Sequence, residues 1–328
     1  MDYGKILARS FEITRKYRAL WLFGILLALF GGSSGGSFNF PSGGSGSRGT
    51  GRSDFPTLPT VSSETWQLIT ILIAALVCFA LVWILLGIIL RFVSRAALIG
   101  LVQELEAHEK TPTVRRGFSI GAEHFWRLLG IALVINIPLT VVSFVIILLA
   151  ALPLILALMP LISAGRTAPS ELIAVAVAGS IGSVALICCA ALILIAVSFV
   201  IHPFYEFIVR TCVVKKSGVM DSIREGYRIV RANLGNVAVL YILAIGIGIG
   251  FGLLMIPIVL IAIAIPAGVA FLVYWLANSI TGAIVAGVVL GIPALLLLLF
   301  ISGLYHTFES TYWTEGYLTA TTPTKVEG

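Results

Sequence analysis

Residues 232–308 form a run of 77 positions without a single Asp, Glu, Lys or Arg. A soluble domain, in which about a quarter of residues are charged, does not leave such a gap. A bilayer core, which about 20 apolar residues span, requires one. Shorter uncharged stretches cover 65–90, 128–165 and 172–205. With 11% charged and 59% hydrophobic residues over 328 positions, the chain reads as an all-α integral membrane protein. That excludes a soluble enzyme, a nucleic-acid-binding domain and a disulfide-stapled secreted module. The four cysteines (Cys78, Cys188, Cys189 and Cys212) sit in or beside apolar runs and give no disulfide framework.

Charge placement predicts the orientation. Basic residues cluster before the first apolar run (Lys5, Arg9, Arg15, Lys16, Arg18), and again from Arg91 to Arg127 and from Arg210 to Arg231. Only Arg48, Arg52 and Arg166 fall in the alternate loops. With six crossings, 18 of the 21 basic residues lie on one side, and so does the whole net charge of +6. The positive-inside rule makes that side the cytoplasm, with both termini there and the chain in the plasma membrane. The expected partners are anionic lipids of the cytoplasmic leaflet and a protein on the cytoplasmic face. The first run, 19–30, is short and followed by small residues like a signal peptide. Its long, partly acidic leader and its recurrence later in the chain predict that it is retained. Residues 31–63, rich in Gly, Ser and Pro, are expected to form a flexible outer loop.

An internal repeat organises the chain. Arg9-Ser10-Phe11-Glu12-Ile13, Arg116-Gly117-Phe118-Ser119-Ile120 and Glu225-Gly226-Tyr227-Arg228-Ile229 recur at aromatic-to-aromatic periods of 107 and 109 residues. Each is followed, at the same offset, by a polar residue: Tyr17, His124 or Asn233. Apolar residues at helical spacing predict an amphipathic surface helix that bends at that polar residue into a span. The interfacial basic residues are Arg9, Arg15, Lys16, Arg115, Arg116, Arg224, Arg228 and Arg231. One polytopic domain follows, with six transmembrane helices as three hairpins over about 1–107, 108–216 and 217–328. Because equivalent units cross an even number of times, the last unit is expected to span at 236–262 and 283–305. The excess at 257–278, like 153–163 before it, is expected to be an outer or re-entrant segment.

Arg95-Ala96-Ala97-Leu98, and Arg116-Gly117-Phe118 through Phe125-Trp126-Arg127-Leu128-Leu129, carry a family resemblance. The pattern resembles several uncharacterised bacterial and archaeal membrane families. It is also similar to the membrane domain fused to some glycerophosphodiester phosphodiesterases. The resemblance implies architecture only, because the residues after the last span are too few to be the catalytic domain of such fusions.

Candidate sites are sparse. Gly246/Gly250, Gly248/Gly252 and Gly287/Gly291 have the spacing that lets helices approach closely. No acid or base lies mid-span, which lowers the standing of ion-coupled transport. Asn136, Ser143, Ser180, Ser183 and Ser198 are expected to bond to neighbouring helices. Trp21, Trp66, Trp126, Trp275 and Trp313 fall near span ends as an aromatic belt. His202 with Glu206, and His306 with Glu309, each share a helix face. If the two pairs converged they would offer a ligand set for zinc or iron. No cofactor is otherwise implied. The leading expectation is a non-enzymatic scaffold or accessory membrane subunit. The alternatives are a lipid or amphiphile transporter and a metal-dependent membrane hydrolase.

Overall fold

The computed structural model describes residues 2–30, 63–108, 111–164 and 169–321; the expected outer loop at 31–63 lies almost wholly outside them. Within these residues the chain is entirely helical. Two 14-residue surface helices, α1 (Tyr3–Lys16) and α6 (Val219–Ala232), accompany the short apolar α2 (Arg18–Phe30). The long helices are α3 (Ser63–His108), α4 (Val114–Ala164), α5 (Ser170–Lys215), α7 (Leu234–Ala277) and α8 (Ile280–Thr321). Among the described residues, five helices are therefore long and apolar enough to cross a membrane. The sixth expected span, α2, has 13 residues, or about 20 Å at 1.5 Å per residue against a hydrocarbon core of about 30 Å.

The re-entrant expectation is corrected. Residues 257–278 do not form a separate segment: α7 runs without a break for 44 residues, through Pro257 and Pro266. Residues 153–163 likewise continue α4. Each internal proline forfeits one backbone hydrogen bond, but unwinding in an apolar medium would strand several more. After α7 the chain turns at Asn278, whose φ of 46° is the left-handed conformation that asparagine tolerates.

The polar offset of the repeat marks a break in two copies out of three. α1 gives way to α2 at Tyr17, where the Tyr17 N–H still donates to the Ile13 carbonyl (3.1 Å) and its own carbonyl accepts from Leu20 N–H (3.1 Å). α6 gives way to α7 at Asn233, whose N–H donates to the Ile229 and Val230 carbonyls and whose carbonyl accepts from Val237 N–H at 3.0 Å. At His124 no break occurs, and that residue is buried within an uninterrupted α4.

The chain divides into two compact units, Met1–Ile6 with Glu123–Leu243 and Trp313–Gly328, and Leu7–Ala122 with Ala244–Tyr312. In each, buried side chains come mainly from the basic ends of the helices, while the apolar middles expose residues such as Leu72 and Phe79 (both 67%). In the second unit Ile13, Leu20 and Phe23 pack with Leu98, Leu101 and Ile120 in one buried cluster. Full burial of such a side chain contributes about 1.5–3 kcal/mol. In the first unit Phe207, Val209, Val230, Leu240 and Trp313 are buried. The helices, at about 60–75 Å, are roughly twice the hydrocarbon thickness, and their basic ends carry the packed core.

The repeated motif divides its labour differently from the expected apolar stripe. The small residue is what packs: Ser10 is fully buried, Gly117 faces the Phe23 ring, and Gly226 rides on α5. A Cβ on Gly226 would lie 2.8 Å from the Ile208 Cα, so only glycine permits this crossing. The isoleucines two residues after the aromatics, Ile13 and Ile120, are buried as well. The aromatics Phe11, Phe118 and Tyr227 are exposed.

Candidate functional site

α5 ends in a ladder of three chemically active side chains, His202, Glu206 and Arg210, each four residues from the next and so on one helix face. Glu206 is 5% and Arg210 2% exposed. The Arg210 Nη1 donates to the Glu206 carboxylate and, at 2.9 Å, to the Glu206 backbone carbonyl. The guanidinium lies 5.9 Å from the Trp313 ring centroid, where a cation over an aromatic face gains electrostatic attraction. His202 stands 3.9 Å from Glu206 through Nε2, too far for a hydrogen bond, and its ring packs 5.7 Å from Tyr241 and 6.2 Å from Trp313. Phe207 and Tyr317 close the cluster, with centroids 5.7 Å apart. Two charges removed from water are costly unless each satisfies the other. Here the carboxylate and guanidinium do so inside an aromatic box that joins α5, α7 and α8.

Ion pairs extend outward from this cluster in the first unit. Lys215 on α5 meets Glu225 on α6. Lys216, which ends α5 at a φ of 53°, reaches Glu123 at 3.4 Å, and its backbone carbonyl accepts from Arg127 at 2.8 Å. Tyr3 donates through its hydroxyl to the Asn236 side-chain oxygen at 3.0 Å. In the second unit Arg9 pairs with Glu106 at 3.0 Å, which raises the Arg9 pKa further and keeps it cationic. Arg116 donates to Glu104 Oε1 from both Nε (3.1 Å) and Nη2 (2.7 Å), with a longer contact of 3.3 Å from Nε to Oε2.

The sequence-derived residues distribute as follows. His306 Nδ1 and Glu309 Oε2 are 3.4 Å apart in the second unit, whereas His202 and Glu206 belong to the first. Among the described residues no three or more His, Cys, Asp or Glu side chains gather to hold a metal, and the Glu206 carboxylate is taken up by Arg210. Of the eight interfacial basic residues, Arg9 and Arg116 are bound by carboxylates across helices. Arg15, Lys16, Arg115, Arg224, Arg228 and Arg231 are exposed, and among the described residues none of the six forms an ion pair. A Cβ on Gly246, Gly250, Gly252 or Gly291 would meet nothing within 4 Å. Gly248 lies under the Tyr305 hydroxyl, 3.2 Å from such a Cβ, and Gly287 under Ala270 at 3.5 Å. Backbone-to-backbone crossings occur instead at Gly24 with Gly303, Gly121 with Val93 and Gly226 with Ile208.

Two further expectations are corrected. Ser180 and Ser183 donate to carbonyls of their own helix, Val177 and Gly179, both at 2.7 Å; the i−3 and i−4 carbonyls are simply the nearest acceptors. Trp313 is not a belt residue but is buried at 1% exposure, whereas Trp126 and Trp275 are exposed at 76% and 73%. Sequence reasoning missed Arg210 and the last turns of α8. The signals were present: Arg210 continues the His202–Glu206 spacing, and Thr307, Thr311 and Thr314 repeat at helical intervals across the end of the last uncharged run. All three threonines are fully buried.

Long apolar helices, a core concentrated at their basic ends and an internal repeat define a multi-span, all-helical membrane protein. The chain belongs to a family of unknown function, DUF7544, whose profile matches residues 9–315. No curated protein and no solved structure matches the chain. These comparisons give no specific link to the membrane domains fused to glycerophosphodiester phosphodiesterases.

Proposed function

We propose that the protein is a non-enzymatic scaffold or accessory membrane subunit that works through its cytoplasmic surface helices. One observation carries this reading: the Glu206–Arg210 pair and the interhelical pairs are consumed in packing, while basic and aromatic side chains on the repeated segments are exposed. Glu206 and Arg210 neutralise each other, and Glu104 and Glu106 hold Arg116 and Arg9. What remains available is Arg15, Lys16 and Phe11 on α1, Arg115 on α4, and Met220, Arg224, Tyr227, Arg228 and Arg231 on α6. A photo-crosslinking residue placed at Met220, which is 68% exposed, tests the proposal in native membranes. One protein should be captured there and also from Ala8 on α1, and should co-purify at fixed stoichiometry. Adducts to lipid alone would defeat the scaffold reading.

The finer topology is part of the same proposal. In it α2 is the first of six crossings, three hairpins each follow a surface segment, and both termini are cytoplasmic. The asymmetry of 18 basic residues against three supports it. Impermeant labels applied to intact cells should reach residues 31–62 and not 322–328; labelling at the C-terminal positions would overturn the even number of crossings.

A further inference from the structure

The three repeated segments share one outward feature. Phe11, Phe118 and Tyr227 occupy the same repeat position and are 62%, 37% and 51% exposed. Each has an exposed arginine one helical turn away: Arg15 beside Phe11, Arg115 beside Phe118, and Arg224 and Arg231 beside Tyr227. Spacings of three and four residues put ring and cation on one face. Among the described residues these arginines form no ion pair, although Arg9 and Arg116 in the same segments do. On α1 the face opens into a shallow cavity of about 410 Å³ lined by Ala8, Phe11, Glu12, Arg15 and Lys16. The Glu12 carboxylate there is engaged by Arg9 at 3.2 Å, so Arg15 and Lys16 set the charge that an incoming group meets.

We propose that these three aromatic–arginine faces are seats for anionic phospholipid headgroups, one in each repeat. The arginine receives the phosphodiester through charge-assisted hydrogen bonds, and the ring lies against the glycerol and upper acyl region, where aromatic side chains prefer the membrane interface. Charge complementarity selects an anionic lipid over a zwitterionic one. Phe118 also packs on Phe23 and Tyr227 on Phe204, with centroids 5.1 and 5.7 Å apart, and an acidic soluble protein would use the cations but leave the exposed faces of the three rings uncovered. The α6 seat, with Arg224 and Arg231 flanking the ring and Arg228 on the adjoining face, binds most tightly. The assignment rests on the cytoplasmic-facing reading given above only for the leaflet involved.

The full-length protein, purified in detergent, is titrated with dioleoylphosphatidylglycerol or dioleoylphosphatidylcholine and the bound lipids are counted by native mass spectrometry. Up to three phosphatidylglycerol molecules should be retained preferentially. Neutralisation should weaken a seat about fivefold per cation. That gives a loss of about 25-fold for Arg15→Gln with Lys16→Gln, and about 100-fold for the triple variant Arg224→Gln, Arg228→Gln and Arg231→Gln. Lysine at the same arginine positions should restore phosphatidylglycerol binding. Phe11→Ala should weaken the α1 seat without altering its salt dependence. All these side chains are exposed, so an unchanged thermal midpoint accompanies the losses. Equal retention of the two lipids, or phosphatidylglycerol binding indifferent to neutralisation, overturns the proposal. Equal competition by glycerol 1-phosphate also overturns it, by making the ligand a free phosphate. Phosphatidylglycerol selectivity without a Met220-captured partner defeats the scaffold reading alone; the converse result defeats the lipid seats alone.

Discussion

Arg210→Ala is expected to lower the stability of the protein by about 3–5 kcal/mol, because it leaves the Glu206 carboxylate buried without its counter-charge. Glu206→Ala is expected to do the same from the other side. In that variant the guanidinium beside Trp313 loses its carboxylate, and neither the ring nor the residue-206 carbonyl supplies the missing counter-charge. The double variant Glu206→Leu with Arg210→Met separates the two contributions. Apolar residues of similar length remove both desolvation penalties, so the double variant should be more stable than either single alanine variant. The measurement is the thermal unfolding midpoint in one detergent. If the alanine variants melt like the wild type, the pair does not lock α5 against α8.

A second large loss is expected at the crossing of α2 and α8. A Cβ on Gly303 would lie 2.8 Å from the Ile25 Cα and 2.9 Å from its N, and a Cβ on Gly24 would collide with the Gly303 carbonyl and the Thr307 hydroxyl. Backbone stands on both sides, so no rotamer change relieves the overlap. Gly303→Val should cost at least about 3 kcal/mol, at or beyond the upper end of ordinary overpacking. Gly250→Ala is the matched contrast. Its Cβ would meet nothing, and removing a helix-interior glycine gains up to about 1 kcal/mol. Two glycines in long apolar helices should thus respond with opposite signs, read as midpoints that fall and rise. A fall for both would mean that Gly250 packs against something outside this chain.

Much of this architecture is legible in the sequence because membrane insertion is an averaged property. The uncharged runs, the charge asymmetry and the 107- and 109-residue periods need no knowledge of contacts. What was not legible depends on single partners. Gly246 and Gly303 look alike in an apolar run, and only the α2 backbone opposite distinguishes Gly303. Hydropathy ends near Phe308, so the buried Thr311, Trp313 and Tyr317 read as the start of a polar tail. Within the site, the His202–Glu206 spacing was visible, but Arg210 counted as one more flanking cation. Its burial depends on Trp313, which lies 103 residues away in the chain. The repeat motif was recognised by its aromatic, although its packing residue is the smaller one before it.

The unbroken course of α4 past His124 sets the second repeated segment apart from the other two. α1 and α6 are each separated from the following helix by a single residue, Tyr17 or Asn233. α4 has no such joint: its exposed beginning, with Arg115 and Phe118, and its apolar shaft are one rod of 51 residues. Residues 114–118 therefore belong to the same uninterrupted helix as the apolar shaft, whereas at α1 and α6 one residue intervenes. Of the three related segments, two are jointed to the helix that follows and one is continuous with it.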